Sequence, residues 1–498
     1  MNITYRSTRS DSSESVTASY AILKGLADDG GLFVPVEFPV LDTPIEELAQ
    51  MSYQEVAFTV LRLFLSDFSD EEIRDCVNKA YDEKFDTDVI APISYADGAY
   101  YLELYHGRTI AFKDMALSIL PHFMRYAAKK NNISNEIVIL TATSGDTGKA
   151  ALAGFADVPG TRIVVFYPKD GVSPVQERQM VTQKGSNTFV VGIRGNFDDA
   201  QTAVKRMFSD QALGEKLDRN GFMFSSANSI NIGRLLPQVV YYVYAYAALY
   251  KNGRIKAGEP INVTVPTGNF GNILAAYFAK KIGTPIDKLI CASNKNKVLT
   301  DFFHTGNYDR NRDFYVTSSP SMDILVSSNL ERLIYLIDGR DPKKTAQLMA
   351  QLGKEGSYDI TDDMRGQLSD FYADFATEEE TQSAIRELYR KTGYVIDTHT
   401  AVASSVYGKY VKASGDTKPT VIASTASPYK FARSVVGAIK GDVSGYSEIE
   451  LIDMLTELSG VAQPPAIIEL KTAPIVHKTV CDIDKMNDEV LGFLGIRE

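Results

Sequence analysis

The chain predicts an α/β protein with largely parallel sheets. Three observations carry this: short continuous apolar runs recur along the 498 residues, helical patterns separate them, and glycine-punctuated turns join strands to helices. Residues 1 to about 95 stand apart as a mainly helical unit. Ile45 to Leu65 has helically spaced apolar positions, and Ser69-Asp-Glu-Glu-Ile opens another helix with acids in its first turn. Asp28-Asp-Gly-Gly31 is turn chemistry ahead of a short extended piece ending at Pro35.

From about residue 98 strands and helices alternate. Ile137-Val-Ile-Leu140 is a buried parallel strand by pattern, followed by a helix from near Lys149. Arg162–Tyr167 and Thr188–Gly192 are the next strands. Between them Ser173-Pro174-Val-Gln176 reads as an N-cap, a first-turn proline and a capping-box glutamine. A helix covers Asn196 to Met207. Strand Ile261–Val265 and helix Asn272–Ile282 repeat the unit, and Leu289–Ala292 and Thr420–Ala423 are later strands. The stretch 323–390 is charged and helical, an insertion with solvated faces. Tyr241 to Tyr250 is apolar nearly all round, which fits a buried helix better than a binding stripe.

Composition narrows the function classes. Apolar residues are 44% and charged residues 23%, ordinary for a globular protein, and the length calls for two or three domains. A formal net charge of -11 argues against nucleic acid and anionic membranes as main partners. The three cysteines are far apart with no CxxC pair, and the five histidines do not cluster at metal-ligand spacing, so no metal is expected. The polar N-terminus lacks an apolar signal core, and Leu235–Tyr250, interrupted by Pro237 and Gln238, is short for a membrane span. A cytoplasmic protein is expected.

Two turns suit anions. Pro266-Thr-Gly-Asn-Phe-Gly-Asn272 follows a strand and opens a helix, so backbone N–H groups and the helix start face whatever sits there. A tight turn without ligand fits its spacing equally well. Thr143-Ser144-Gly145-Asp146-Thr147-Gly148 has the same placement and three hydroxyls. It is not a Walker A loop, since Thr143 stands where that motif needs glycine and Ala150 where it needs Ser or Thr. Lys113 lies between an extended segment and a helix from about Asp114 to Lys130, which Pro121 should kink or make irregular early. Most lysines are solvated surface charges, and the flank of Lys113 alone does not set it apart. Arg234 follows the small polar cluster Ser225–Asn231 and can pair with a phosphate, a carboxylate or a structural acid. Ser424-Thr425-Ala-Ser427 lies at a strand carboxyl end, where open α/β sheets bind ligands. Asp397-Thr-His399 is a helix start, and His399 is assigned to structure.

Together these residues resemble the threonine synthase family, pyridoxal-phosphate enzymes of the fold-type II group, over essentially the whole length. Tyr5-Arg-Ser-Thr8 and Gly25–Pro35 resemble its N-terminal signature, Ala111-Phe-Lys113-Asp114 its Schiff-base motif, and Thr143–Gly148 its substrate loop. Gly268–Asn272 resembles its cofactor-phosphate loop and Thr425–Lys430 its C-terminal block. Related dehydratases commonly have Asn where Asp146 stands.

The resemblance implies two open, mainly parallel α/β domains. They divide as an N-terminal domain 1–95, a large cofactor domain from 96–135, 215–322 and 391–498, a small substrate domain 136–214, and the helical insertion 323–390. It implies pyridoxal 5'-phosphate carried on Lys113, which also moves protons. Gly268, Asn269, Phe270, Gly271 and Asn272 would bind the cofactor phosphate, and Thr425 would meet the ring nitrogen. Ser144, Asp146 and Thr147 would hold the substrate carboxylate region, Asp146 chiefly by fixing the loop. Asn228, Ser229 and Arg234 would contact the ring or the substrate phosphate. The implied reaction turns O-phosphohomoserine and water into L-threonine and phosphate, in a monomer or small homo-oligomer. The rivals are a serine or threonine dehydratase using the same cofactor and a non-catalytic protein that binds a phosphometabolite.

Overall fold

The computed structural model describes residues 2–12, 14–143, 145–172 and 174–496, the side chain of Pro174 excepted. Two open sheets organise it. The larger runs Phe371–Phe375, Ile286–Ser293, Ile261–Pro266, Thr420–Ser424, Ala99–Glu103, Ile93–Ala96, with every neighbouring pair parallel except the last. The smaller runs Thr479–Asp482, Thr188–Arg194, Thr161–Pro168, Glu136–Ala142, Phe222–Ser225 and is parallel throughout. Its inner strands and the central strands of the larger sheet are almost wholly buried, which is why they read as unbroken apolar runs.

The N-terminal unit is mainly helical, with one addition. Tyr5–Ser7 pairs antiparallel with Phe33–Pro35. The helix expected over 45–65 is two helices, Ile45–Leu48 and Tyr53–Phe64. Ser52 and Glu55 form a reciprocal capping box that starts the second. The unit is fixed to the rest by the buried helix Ile232–Lys251, which packs against Tyr53–Phe64 on one side and Gly271–Lys281 on another.

Two expectations are corrected, and a third is met in one of its two forms. Phe222–Ser225 and Thr479–Asp482, assigned by sequence to the large domain, are strands of the smaller sheet. The insertion 323–390 is not purely helical, because Phe371–Phe375 is the edge strand of the larger sheet and Ser357–Asp359 pairs with Asn307–Asp309. All four are short strands whose partners lie far away in sequence or behind a helix, so no local pattern announces them. Of the two outcomes expected at Pro121, a kink or an early irregularity, the second is found. The chain makes two helices, Asp114–Leu117 and Leu120–Lys130, and Pro121 sits in the first turn of the second, where its missing N–H costs nothing. The break lets Gly154 press against Leu117; a Cβ there would lie 2.1 Å from the Leu117 carbonyl oxygen. The expected Ser173 cap lies outside the described residues, though helix Pro174–Val181 follows it. Among the described residues no helix is long and apolar enough to cross a membrane.

Candidate active site

Lys113 is delivered to the carboxyl edge of the larger sheet by main-chain ties. The Phe112 N–H donates to the Thr425 carbonyl at 2.8 Å, and the Ser427 N–H to that of Ile110 at 3.0 Å, so the lysine segment is laced to the end of strand Thr420–Ser424. Behind it the buried Asp114 carboxylate accepts from the Thr109 N–H at 2.8 Å and its hydroxyl at 2.7 Å. Gly107 is required for that packing, since a Cβ there would sit 2.6 Å from Asp114 Cβ.

The Lys113 amine enters a buried charge cluster. Its Nζ donates to Ser321 Oγ at 3.1 Å and lies 3.7 Å from Asp146 Oδ2. Ser321 Oγ in turn donates to Asp146 Oδ2 at 3.1 Å. Lys430 Nζ is 3.2 Å from Asp146 Oδ1 and donates to the Thr109 carbonyl at 3.0 Å. The Gln176 amide donates to Asp146 Oδ1 at 3.1 Å. Burial pushes the Lys113 ammonium down to about 8; Asp146 resists that shift, while Lys430 and Arg234 add to it. For Asp146, burial favours the neutral form, but Lys430 and then Lys113 outweigh it and hold the carboxyl well below the usual range. The cluster thus contains a permanent anion and an amine whose proton is exchangeable near neutral pH.

Across from the lysine stands the turn after strand Ile261–Pro266. It carries no charged side chain. Phe270 adopts a left-handed φ of 60°, which turns the chain sharply into helix Gly271–Lys281. Gly268 packs so close to the turn Pro320–Met322 that a Cβ would lie 2.7 Å from the Ser321 carbonyl oxygen. The Asn329 side chain donates to the Asn269 carbonyl at 2.9 Å, and Ser327 Oγ to that of Gly268 at 2.7 Å. These bonds occupy carbonyls, and the first N–H groups of a helix have no acceptor within the helix itself. Asn272 is buried, its Oδ1 held by the hydroxyls of Tyr241 and Tyr242, and its Nδ2 has no partner among the described residues.

The other expected residues fall in different places. Arg234 is buried, donates from Nη1 to the Ala227 carbonyl at 3.0 Å, and leaves Nε without a partner among the described residues. Burial lowers its guanidinium to about 10, and its charge is felt at Lys113. Thr425 is buried at the sheet edge beside the lysine segment. Thr147 is half-buried in the first turn of helix Asp146–Phe155. Asn228 is exposed, while Ser229 is half-buried with its hydroxyl 3.4 Å from that of Ser328. Ser144 lies outside the described residues. Thr143, one of the hydroxyls counted in the substrate loop, turns inward instead: its Oγ1 accepts from the N–H groups of Gly145 and Gly148, both at 3.0 Å.

Sequence reasoning gave no role to Lys430, Ser321, Gln176 or His399 at this cluster. Lys430 had a faint signal, a charge just behind a hydroxyl run at a strand end. Ser321 had none, since it arrives on a loop remote from every motif.

The donor set fits a phosphorylated aldehyde. A buried amine with an exchangeable proton and a glycine-lined helix start both contact the Ser321 turn, and Arg234 Nε and Asn272 Nδ2 are buried with no partner among the described residues. Amine, cradle and two open parallel sheets define a pyridoxal-phosphate-dependent enzyme of fold-type II. Residues 96–427 match the family model described as pyridoxal-phosphate dependent enzyme, and residues 4–81 match that of the threonine synthase N terminus. Threonine synthase of Saccharomyces cerevisiae is 34% identical over 508 residues, covering 96% of this chain and 97% of the relative. Threonine synthase-like 1 of Homo sapiens is 42% identical over 446 residues, covering 86% of this chain but only 59% of that longer protein. The crystal structure of PLP-bound threonine synthase from Brucella melitensis superposes with a TM-score of 0.87 at 35% identity, covering 99% of each chain. The chain belongs to the threonine synthase family and is dependent on pyridoxal phosphate.

Proposed function

We propose that the chain is a threonine synthase: O-phospho-L-homoserine and water go to L-threonine and phosphate by β,γ-elimination and replacement. The observation that carries this reading is the Lys113 amine, lowered to about 8 and set between Ser321, Asp146 and the uncharged glycine turn. End-to-end likeness to the yeast synthase supports the choice of substrate.

When bound, pyridoxal phosphate supplies a conjugated ring that stores the charge left as a proton departs from the substrate Cα. Lys113 anchors the aldehyde and then moves protons at Cα and the adjoining carbons, a task suited to an amine poised near neutral pH. The N–H groups of Gly268, Asn269, Phe270, Gly271 and Asn272 bind the cofactor phosphate at the helix start. The Thr425 hydroxyl would hold the cofactor ring at its nitrogen. Ser144 and Thr147 hold the substrate carboxylate, and Asp146 acts as the loop's fixed anion rather than as a ligand for another carboxylate. Arg234, with Nε unpartnered, is the strongest of the three candidates for the ring or the substrate phosphate, ahead of Ser229 and the exposed Asn228. Phosphate leaves from Cγ and water adds at Cβ.

The test is an assay of purified protein, loaded with cofactor, on O-phosphohomoserine. Equal yields of phosphate and threonine are expected. Ammonia and a keto acid from serine or threonine, with no phosphate release, would instead identify a dehydratase.

A further inference from the structure

The turn Pro320–Met322 touches both halves of the site, yet none of the family motifs contains it. It is held from three sides. The Ser321 N–H donates to His399 Nε2 at 3.2 Å, and His399 Nδ1 is 2.8 Å from Asp397 Oδ2, both residues being buried. With Nε2 accepting, the His399 Nδ1–H donates its hydrogen bond to Asp397 Oδ2, which orients the imidazole as an acceptor for the Ser321 N–H. From behind, Asp323 accepts from Asn294 at 2.7 Å and Asn296 at 2.9 Å. In front, only a glycine at 268 allows the Ser321 carbonyl its close approach. The serine hydroxyl therefore has little freedom, and it is spent on two partners: it accepts from Lys113 Nζ at 3.1 Å and donates to Asp146 Oδ2 at 3.1 Å.

We propose that Ser321 is a positioning residue for Lys113: its hydroxyl holds the amine in the charged, hydrogen-bonded state against Asp146 and so sets how readily the nitrogen gives up its proton. At 3.7 Å Lys113 and Asp146 attract as an ion pair without a direct hydrogen bond, and the serine hydroxyl supplies the hydrogen-bonded link between them. The other groups facing the amine cannot take over. Lys430 and Arg234 are cations, the Phe112 ring centroid is 5.9 Å away, Gln176 is turned to the far oxygen of Asp146, and Asp114 is turned back to Thr109. The inference rests on the reading of Lys113 as the cofactor lysine, and its test is separable from that reading.

The experiment measures, on cofactor-free protein, how fast an amine-acylating reagent labels Lys113 as a function of pH, followed by peptide mass spectrometry. Loss of one hydrogen bond to a charged group is expected to lower the labelling midpoint of Ser321→Ala by about one unit, which is about tenfold in the free-amine fraction below the midpoint. Ser321→Thr, which keeps the hydroxyl, should restore the wild-type midpoint. A change in access alone would alter the plateau rate and not the midpoint. A wild-type midpoint in Ser321→Ala, or a Thr variant no different from Ala, overturns the proposal. Should the alanine variant not fold, Ser321→Cys, a weaker acceptor of similar size, must shift the midpoint in the same direction, and its failure to do so overturns the proposal as well. Separately, borohydride reduction of the loaded wild-type protein should fix the cofactor on Lys113. Fixation on another lysine would remove the underlying reading whatever the labelling shows.

Discussion

The two strand-to-helix turns of the site occupy equivalent places, each at the carboxyl end of an inner parallel strand, and they work by opposite physics. The turn 267–272 is uncharged. Its carbonyls are tied down by Ser327 and Asn329, and its Asn272 by two tyrosines, so backbone donors and a helix start are left for an anion. The turn 143–148 spends backbone donors on its own Thr143 and instead carries a buried carboxylate, Asp146, shared among Lys113, Lys430, Ser321 and Gln176. One wall offers fixed dipoles. The other offers a balanced set of full charges, in which moving one proton changes every neighbour. The first is suited to holding, the second to proton transfer.

The contrast can be broken at the lysine. Lys113→Ala removes both the anchor and the base, and a loss above ~10⁴-fold in phosphate release is expected, because placed proton transfer alone is worth roughly 10²–10⁴-fold. Near-normal turnover in that variant would end the assignment. On the charged wall, Asp146→Asn leaves the Lys430 ammonium buried without its anion. It should cost about 3 kcal/mol of stability, as breaking a buried pair does, and lower the Lys113 labelling midpoint below about 8. Unchanged melting and midpoint would mean that Asp146 is not the counter-charge.

On the uncharged wall, Gly268→Ala drives a Cβ against the Ser321 main chain, which has no flexible end to yield. Cofactor affinity, read by absorbance titration, should fall about tenfold through displacement of the cradle by a few tenths of an ångström. Because Ser321 joins this wall to the charged one, the Lys113 midpoint should move as well, but less than in Asp146→Asn, where the counter-charge itself is lost.

The smallest effect is expected away from both walls. His106 bonds Asp86 at 2.7 Å and Glu103 at 2.9 Å. Burial opposes its charge, but the two carboxylates outweigh burial and raise the imidazole from 6.5 to about 9. A group raised on folding stabilises fully below its unfolded value and loses that contribution as pH climbs through the folded one. His106→Gln should therefore lower the melting temperature by a few degrees near pH 6 and hardly at all near pH 10, with turnover retained. A pH-independent loss would show that His106 acts by packing.

Much of the fold was legible because its inner strands are buried on both faces and its helices are amphipathic, so burial is written as local periodicity. The helix starts at Ser69 and Asp397 were legible too, since a cap is satisfied within three residues. The short strands Phe222–Ser225, Phe371–Phe375 and Thr479–Asp482 were not, because their hydrogen bonds go to distant partners.

The same division holds in the site. By itself the sequence determined where a lysine, two glycine turns and a strand-end hydroxyl stand along the chain, since each motif carries its own turn chemistry, and the family resemblance implied that they meet. Only the tertiary structure decided what surrounds the amine. Lys430, Ser321, Gln176 and the His399–Asp397 pair come from loops and helices remote along the chain, and charge coupling depends on distance in space, which no spacing of letters records.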